Sequence, residues 1–342
     1  MISIYHRAHR VSSFLCVLCV LCGYNFSPLF AAESRLHDFS PQLEAWVTGP
    51  LLTPSAVVVQ RGHYNIEPYV YATANTAVYD NDWHSTSIPT LWTISSQTSL
   101  QVGVTDWLDF QVTPVLNWNH QRSAGYWALG DMVAQFDAQL YLAPLQKYSW
   151  VPSVRFTLKE TIPVGKYRNL RLNKSRTDSS GFGSWVTTAS LGFSKIVDLD
   201  SHFLVYRLNC NYSFYYTPVH VTGLNAYGGG FGTNGTVYPG NTAQVQLGLE
   251  YTLTQNWVLA LDMQGTWGAT DRFTGDRGDE QRNNASLIAI DSLRANIQYS
   301  LAPAIEYNWS GNLGLIAGVW FTVAGKNTAQ FTSGVIALNY YK

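Results

Sequence analysis

The sequence predicts an all-β protein: a closed antiparallel transmembrane β-barrel of about twelve strands, preceded by an N-terminal signal peptide. Three observations support this prediction. Segments of about ten residues alternate between apolar and polar side chains, which is the period of a β-strand. Of the 342 residues, 14% are aromatic and only 13% are charged, the latter about half of the usual globular share. Long and short connections alternate along the chain, as in outer-membrane barrels.

Residues 1–31 have the features of an export signal. A basic region with Arg7 and Arg10 precedes an almost purely apolar stretch, 11–22, and Leu29-Phe30-Ala31 is a cleavage motif. An uncleaved membrane anchor is the alternative, but the apolar stretch is short for a spanning helix. Three of the four cysteines would leave with the signal, so we expect no internal disulfide in the exported chain.

Residues 32–61 lack the strand alternation and are interrupted by three prolines. We interpret them as a periplasmic lead-in or as a plug segment in the mouth of the barrel. The alternation begins at Gly62, so the barrel is predicted over 62–342. The predicted strands run, in order, over 64–78, 91–104, 108–119, 132–142, 154–159, 184–196, 204–214, 244–251, 257–267, 293–307 and 313–323, with a last strand ending at 342.

The clearest predicted hairpin lies between residues 130 and 165. In its first strand, apolar side chains alternate with amides and a carboxylate, and in its second strand Arg155 and Lys159 occupy the polar face. The two faces therefore meet different solvents, lipid on one side and water on the other. Glu160 falls on the apolar face, so we expect a bulge before Pro163 to turn it inward or lift it to the interface.

The connections predict the orientation of the barrel. Those after the even-numbered strands, up to the tenth, are short, whereas those after the first, third, fifth, seventh and ninth strands are longer. In outer-membrane barrels the short turns are periplasmic, so both termini should be periplasmic and the loops 166–183, 219–240 and 270–289 should be external. A soluble β-sandwich also has alternating strands, but it would usually carry more surface charge and shorter turns.

The candidate functional residues face the predicted interior. They are Glu67, Tyr69, Tyr71, Asp109, Asp137, Tyr141, Arg155, Lys159, Arg207, Tyr215, Glu250, Asp262, Arg294 and Glu306. Two interpretations stay open: acids and bases that simply neutralise one another in a filled lumen, or a polar constriction that selects solutes by charge and size. In the second interpretation, tyrosines beside Arg155 and Arg207 could hold an aromatic carboxylate.

Signals for catalysis or cofactor binding are weak. The His-x-Ser pairing of outer-membrane phospholipases does not occur, and the histidines lack ligand spacing, so we expect no catalytic and no metal site. Residues 230–235 match G-x-G-x-x-G, but no buried strand precedes them and no helix follows, so no nucleotide cofactor is expected. The expected partners are outer-membrane lipid, a small-molecule solute and the barrel assembly machinery, and not nucleic acid.

A few positions around the hairpin carry a family resemblance. Gly130-Asp131, a strand, Pro152, a second strand and Ile162-Pro163-Val164-Gly165 resemble the outer-membrane transporter family of the MetA pathway of phenol degradation. The resemblance spans residue 62 to the C-terminus and implies a barrel that imports aromatic or other hydrophobic small molecules. The chain departs from many barrels by ending in Tyr341-Lys342 and not in phenylalanine.

These observations lead to one functional hypothesis and two rivals. The hypothesis is a passive transporter or narrow channel for small solutes, aromatic or hydrophobic ones among them, and not an enzyme. The first rival is a structural or adhesive outer-membrane barrel with functional surface loops. The second rival is a lipid-modifying enzyme, which would need a serine and histidine pair at the bilayer boundary.

Overall fold

The computed structural model describes residues 45–144, 149–174, 176–278 and 294–342. The predicted signal peptide, the first part of the predicted segment 32–61 and much of the predicted loop 270–289 lie outside these ranges. Within them, no helix is long and apolar enough to cross a membrane.

The described residues form seventeen strands and one short 3₁₀ helix (Leu172–Lys174). The strands are β1 (Tyr64–Tyr79), β2 (Ser85–Thr105), β3 (Leu108–Thr113), β4 (Val115–Gln121), β5 (Ala124–Leu129), β6 (Met132–Tyr141), β7 (Ser153–Ile162), β8 (Val186–Asp198), β9 (Phe203–Tyr215), β10 (Val219–Thr222), β11 (Asn234–Tyr238), β12 (Thr242–Thr252), β13 (Trp257–Gly268), β14 (Arg272–Asp276), β15 (Asn296–Ser310), β16 (Leu313–Lys326) and β17 (Ala329–Tyr341).

Fourteen of these strands form a single antiparallel sheet that closes on itself, because β1 pairs with both β2 and β17. Two barrel strands are each recorded in two pieces. β3 and β4 are separated by Pro114, which has no N–H to donate, and β5 and β6 by Gly130 and Asp131. The barrel therefore has twelve strands, and the predicted fold class is confirmed.

Closure satisfies the strongest constraint on a sheet in lipid. An unpaired backbone N–H or C=O in hydrocarbon costs several kcal/mol, so an open edge is excluded there. The first and last strands pair along eleven residue positions, from Asn65 opposite Tyr341 to Val78 opposite Ala329. The pair formed by the first and last strands is therefore hydrogen-bonded along its length, as the other strand pairs of the barrel are.

Two strands start earlier than the sequence predicts. β2 begins at Ser85 and not at 91, and the fourth barrel strand begins at Ala124 and not at 132. The connection between β4 and β5 is only two residues, one of which, Arg122, adopts a φ of 54°, as tight hairpin turns require. The prediction of a long connection after the third strand is therefore wrong.

The two faces of the barrel differ as predicted. Large apolar side chains such as Leu158 and Val323 are nearly half exposed on the outer face, whereas Thr157 and Thr322 beside them are buried inside. The predicted bulge near Glu160 is wrong, because β7 keeps a regular register with β8. Glu160 stays on the outer face, where it accepts hydrogen bonds from Thr187 Oγ1 at 2.7 Å and from the Tyr216 hydroxyl at 2.9 Å.

At the long-loop end, β10, β11 and β14 form a separate three-stranded sheet. Its apolar centre consists of Val219, Val221 and Val237, all of which are at most 1% exposed. Beside this sheet, burial raises the pKa of Asp271, whose Oδ1 accepts a hydrogen bond from Gly240 N at 2.7 Å. The described parts of these loops are therefore packed, and we call residues 219–240 and 270–278, which contain β10, β11 and β14, the cap.

The connection between β7 and β8, residues 163–185, joins the cap to the barrel. Leu170 N donates to Leu224 O at 2.8 Å in the cap. Two strands from β7 in the barrel, the interior side chain of Asn119 on β4 donates to the carbonyls of Thr177 and Ser179 at 2.9 and 2.8 Å. This connection therefore contacts both the cap and the interior face of β4.

Asp131 anchors that connection, and it belongs to the motif that carries the family resemblance. Its Oδ1 accepts a hydrogen bond from Gly165 N and its Oδ2 one from Phe182 N, both at 2.9 Å. Gly165 is needed here because a Cβ would lie 2.6 Å from Ser180 O. Asp131 and Gly165, two residues of the motif, thus meet at one joint between the hairpin and the connection 163–185.

We expect Asp131→Ala to lower the free energy of unfolding by roughly 1–3 kcal/mol, because two backbone N–H groups lose a charged acceptor. Urea unfolding in detergent micelles measures this loss. Asp131→Asn keeps one acceptor oxygen and should lose less. Asp106→Ala, in an exposed turn at the other end, is the control and should change stability by less than about 0.5 kcal/mol. Equal effects at both positions would contradict the anchoring role.

Candidate functional site

Most of the candidate residues lie on the interior face of the barrel. By register and burial these are Glu67, Tyr69, Tyr71, Asp109, Asp137, Arg155, Lys159, Arg207, Tyr215, Glu250, Asp262 and Glu306. Six of them are carboxylates and three are cations, so acids exceed bases among these groups. Asp109, Asp137, Asp262 and Glu306 are fully buried.

The structure places two candidates elsewhere. A register shift between Gln139 and Tyr141 pairs Tyr141 with Val154, so its ring lies on the outer face and is 46% exposed. Arg294 precedes the first residue of β15 and is exposed at the long-loop rim. The sequence could not reveal either displacement, because a bulge and a late strand start leave the alternation of residue types unchanged.

Both buried arginines are engaged by carboxylates. Arg207 Nε donates to Glu250 Oε2 at 2.8 Å, and both side chains are less than 9% exposed. Arg155 Nε lies 3.4 Å from Asp137 Oδ1, close enough for an ion pair but not aligned as a hydrogen bond. Thr157 Oγ1 donates to the same carboxylate oxygen. Two of the three interior cations are thus neutralised by protein groups.

Residues 45–61, which we call the N-terminal segment, follow the inner wall at the short-turn end. Three carboxylates on different strands accept hydrogen bonds from its backbone. Glu306 Oε2 accepts from Thr48 N at 2.8 Å, Asp262 Oδ1 from Thr53 N at 3.0 Å, and Asp109 Oδ2 from Val59 N at 2.7 Å. The acids that sequence analysis assigned to a solute pathway therefore hold the protein's own backbone.

Amide side chains also bind the N-terminal segment. Together with the three carboxylates they form its binding site on the inner wall, which we call the seat. Asn308, Gln246 and Asn209 donate to the carbonyls of Trp46, Leu52 and Pro54, each at 3.1 Å. Gln139 bridges two backbone groups, donating to Ala56 O at 2.9 Å and accepting from Val58 N at 3.0 Å. Sequence analysis placed several of these amides on the polar face but had no signal for their partners.

Glycines of the barrel wall provide room for the segment. A Cβ built on Gly103 would lie 1.9 Å from Gln60 O, and one on Gly248 would lie 2.7 Å from Pro50 Cγ. Both distances are far below van der Waals contact, so neither position tolerates a side chain while the segment is in place. Glycine inside a strand often marks such a close approach.

Four aromatic side chains form a continuous row on the interior wall, which we call the aromatic ladder: Tyr69, Tyr71, Trp320 and Phe331. Tyr69 and Tyr71 stack with ring centroids 5.8 Å apart, Tyr71 meets Trp320 edge-on at 6.4 Å, and Trp320 meets Phe331 at 4.7 Å. The lower rings pack beside Leu51 of the N-terminal segment. One side of the interior is thus aromatic, whereas the two ion pairs lie on β6, β7, β9 and β12.

Comparison with solved structures agrees with this architecture. The chain is similar to the COG4313 outer membrane channel from Pseudomonas putida F1, with a TM-score of 0.63 and 13% identity over 84% of this chain and 98% of that one. At this identity the likeness shows the fold alone. Together with the closed barrel and its apolar outer face, it places the protein in the bacterial outer membrane.

Other similarities are weaker. The NanC porin aligns with a TM-score of 0.40 and 8% identity over 79% of this chain and 98% of that one. The CymD monoaromatic hydrocarbon channel aligns with a TM-score of 0.36 and 9% identity over 83% of this chain and 89% of that one. No protein-family profile and no curated protein matches the sequence.

We expect Gly103→Ala to loosen the N-terminal segment, because the new Cβ would collide with Gln60 O. Overpacking of this kind costs roughly 1–3 kcal/mol, which should speed trypsin cleavage after Arg61 about 5- to 100-fold if cleavage follows local opening. Mass spectrometry of the timed digest measures the rate. Gly334→Ala is the matched control, since nothing lies within 4 Å of its added Cβ. Unchanged cleavage in Gly103→Ala would contradict this seat.

Proposed function

We propose that this barrel is a passive outer-membrane channel for small neutral solutes with an aromatic or hydrophobic part. The interior ladder of Tyr69, Tyr71, Trp320 and Phe331 carries the proposal. Ring contacts of this kind are worth about 0.5–1.5 kcal/mol each beyond burial. A series of such weak sites allows a solute to bind and to leave, which conduction requires.

The charges of the interior favour a neutral solute over an aromatic carboxylate. The guanidinium groups of Arg155 and Arg207, which the sequence suggested as partners of a carboxylate, are both buried against acids. Removing either acid from its arginine would leave a buried charge unpaired, which costs several kcal/mol.

The N-terminal segment is, in this proposal, the constriction at the periplasmic end. It follows the wall from β15 round to β2, where Arg61 pairs with Gly103. Its Leu51 packs in one apolar cluster with Ile316, Val335 and Ala337 of β16 and β17, so the segment narrows the passage. The fold shared with the COG4313 channel supports a channel role, and membership of the MetA-pathway transporter family is part of the same proposal.

Liposome swelling with two glycosides tests the aromatic ladder. Phenyl and methyl glycosides of the same sugar are neutral and differ only in the ring. A channel that selects by size alone should admit the smaller methyl glycoside faster than the phenyl glycoside. Binding of the phenyl ring to the aromatic ladder should instead make the phenyl glycoside enter faster. Trp320→Ala should lower the phenyl-to-methyl rate ratio about 2- to 10-fold, the equivalent of one lost ring contact.

Trp309→Ala is the matched control, because that ring is 50% exposed on the outer face of β15. It should leave the rate ratio unchanged. A barrel that admits neither glycoside would refute the channel role and favour the structural or adhesive alternative. A barrel that admits both in order of size, with no effect of Trp320→Ala, would retain the channel role but refute selection by the ladder.

A further inference from the structure

A pocket of about 400 Å³ lies at the long-loop rim of the barrel. Two cations, Arg294 and Lys326, line it together with the polar side chains of Asn81, Thr270 and Asn327. Arg294 lies two residues before the start of β15, and Lys326 is the last residue of β16. The pocket is thus formed where two barrel strands and the β1–β2 turn meet.

The strand register shows that this pocket opens on the lipid side of the wall. Lys326 pairs with Ile297, and Ile297 pairs with Trp267, so these three residues share one face. Trp267 is 37% exposed, and Tyr299, two residues along the same face, is also 37% exposed. The interior face at this level is instead occupied by Gln298, which donates to Ala329 O at 3.0 Å.

Aromatic rings lie directly on the membrane side of the two cations. Trp83 stacks on Tyr299 with ring centroids 6.3 Å apart and planes within 5°, and Trp267 meets Tyr299 edge-on at 6.0 Å. Exposed tryptophan and tyrosine rings mark the level of lipid headgroups. The cations therefore lie at the height of the phosphate groups of the outer leaflet.

The charges around the pocket leave the two cations available. Among the described residues, neither Arg294 nor Lys326 takes part in an ion pair. The carboxylate of the neighbouring Asp80 is turned to its own loop, where Oδ1 accepts from Asp82 N at 2.8 Å and from His84 N at 2.9 Å. These bonds lower the pKa of Asp80, and its Oδ2 lies 3.6 Å from His84 Nδ1, so the carboxylate interacts with its own loop and not with Arg294 or Lys326.

We infer that this pocket binds the phosphate group of an outer-leaflet glycolipid. Arg294 and Lys326 supply the positive charge, and the amide of Asn81 and the hydroxyl of Thr270 can donate to the remaining phosphate oxygens. The acyl chains would then descend past Trp83, Tyr299 and Trp267 along the outer face. The pocket is separate from the interior and does not depend on the proposed channel function.

Native mass spectrometry of the detergent-solubilised protein tests this site, with lipid A and dephosphorylated lipid A as probes. Each basic residue near an anionic membrane surface strengthens binding about fivefold. The double variant Arg294→Gln, Lys326→Gln should therefore bind lipid A about 25-fold more weakly, while its binding of dephosphorylated lipid A stays unchanged. Arg122→Asn removes a cation from another turn at the same rim, tolerates the positive φ there, and should bind as the wild type does.

Inorganic phosphate distinguishes the source of the phosphate group. If it displaces lipid A at an equal concentration, the site accepts free phosphate and the glycolipid assignment fails. Equal binding of lipid A and dephosphorylated lipid A by the wild type, or an equal loss in Arg122→Asn, would also overturn the assignment. Compact migration of each unheated variant in gel electrophoresis verifies that the barrel has folded.

Discussion

The need to satisfy every backbone hydrogen bond organises this protein inside as well as outside. In the wall, the constraint is met by closing β1 on β17, because hydrocarbon supplies no donors or acceptors. In the interior, the same constraint applies to the irregular N-terminal segment, which has no strand partner along most of its length. There Asp109, Asp262 and Glu306 act as acceptors, and asparagine and glutamine side chains act as donors.

Because these polar side chains already bind other parts of the protein, they are not available to bind a solute in the proposed channel. A carboxylate that accepts a backbone N–H, or that neutralises Arg207, cannot at the same time serve as a free binding group. Apart from Lys159, the interior surface without such duties includes the aromatic wall formed by β1, β16 and β17. In the proposed channel, chemical preference would thus arise from the engagement of the charged groups as much as from the rings themselves.

Much of the fold could be predicted because side-chain alternation is a local property. The twelve strands and most interior residues follow from it. Where the alternation is weak, prediction failed: residues 85–90 include Pro89, and β5 is short and mixed, so both were assigned to loops. Tyr141 was misplaced by a bulge, which shifts the register without changing composition. The seat of the N-terminal segment depends on residues more than 200 positions apart, and no local pattern encodes such pairs.

That separation also bears on how the molecule is built. Thr48 lies near the beginning of the described residues, whereas its acceptor Glu306 lies 258 positions later in the chain. Contacts between distant parts of a chain form late, because a long loop must close first. The Thr48 end of the segment can therefore bind only after β15 has formed. Its docking thus ties the beginning of the described chain to a strand near its end.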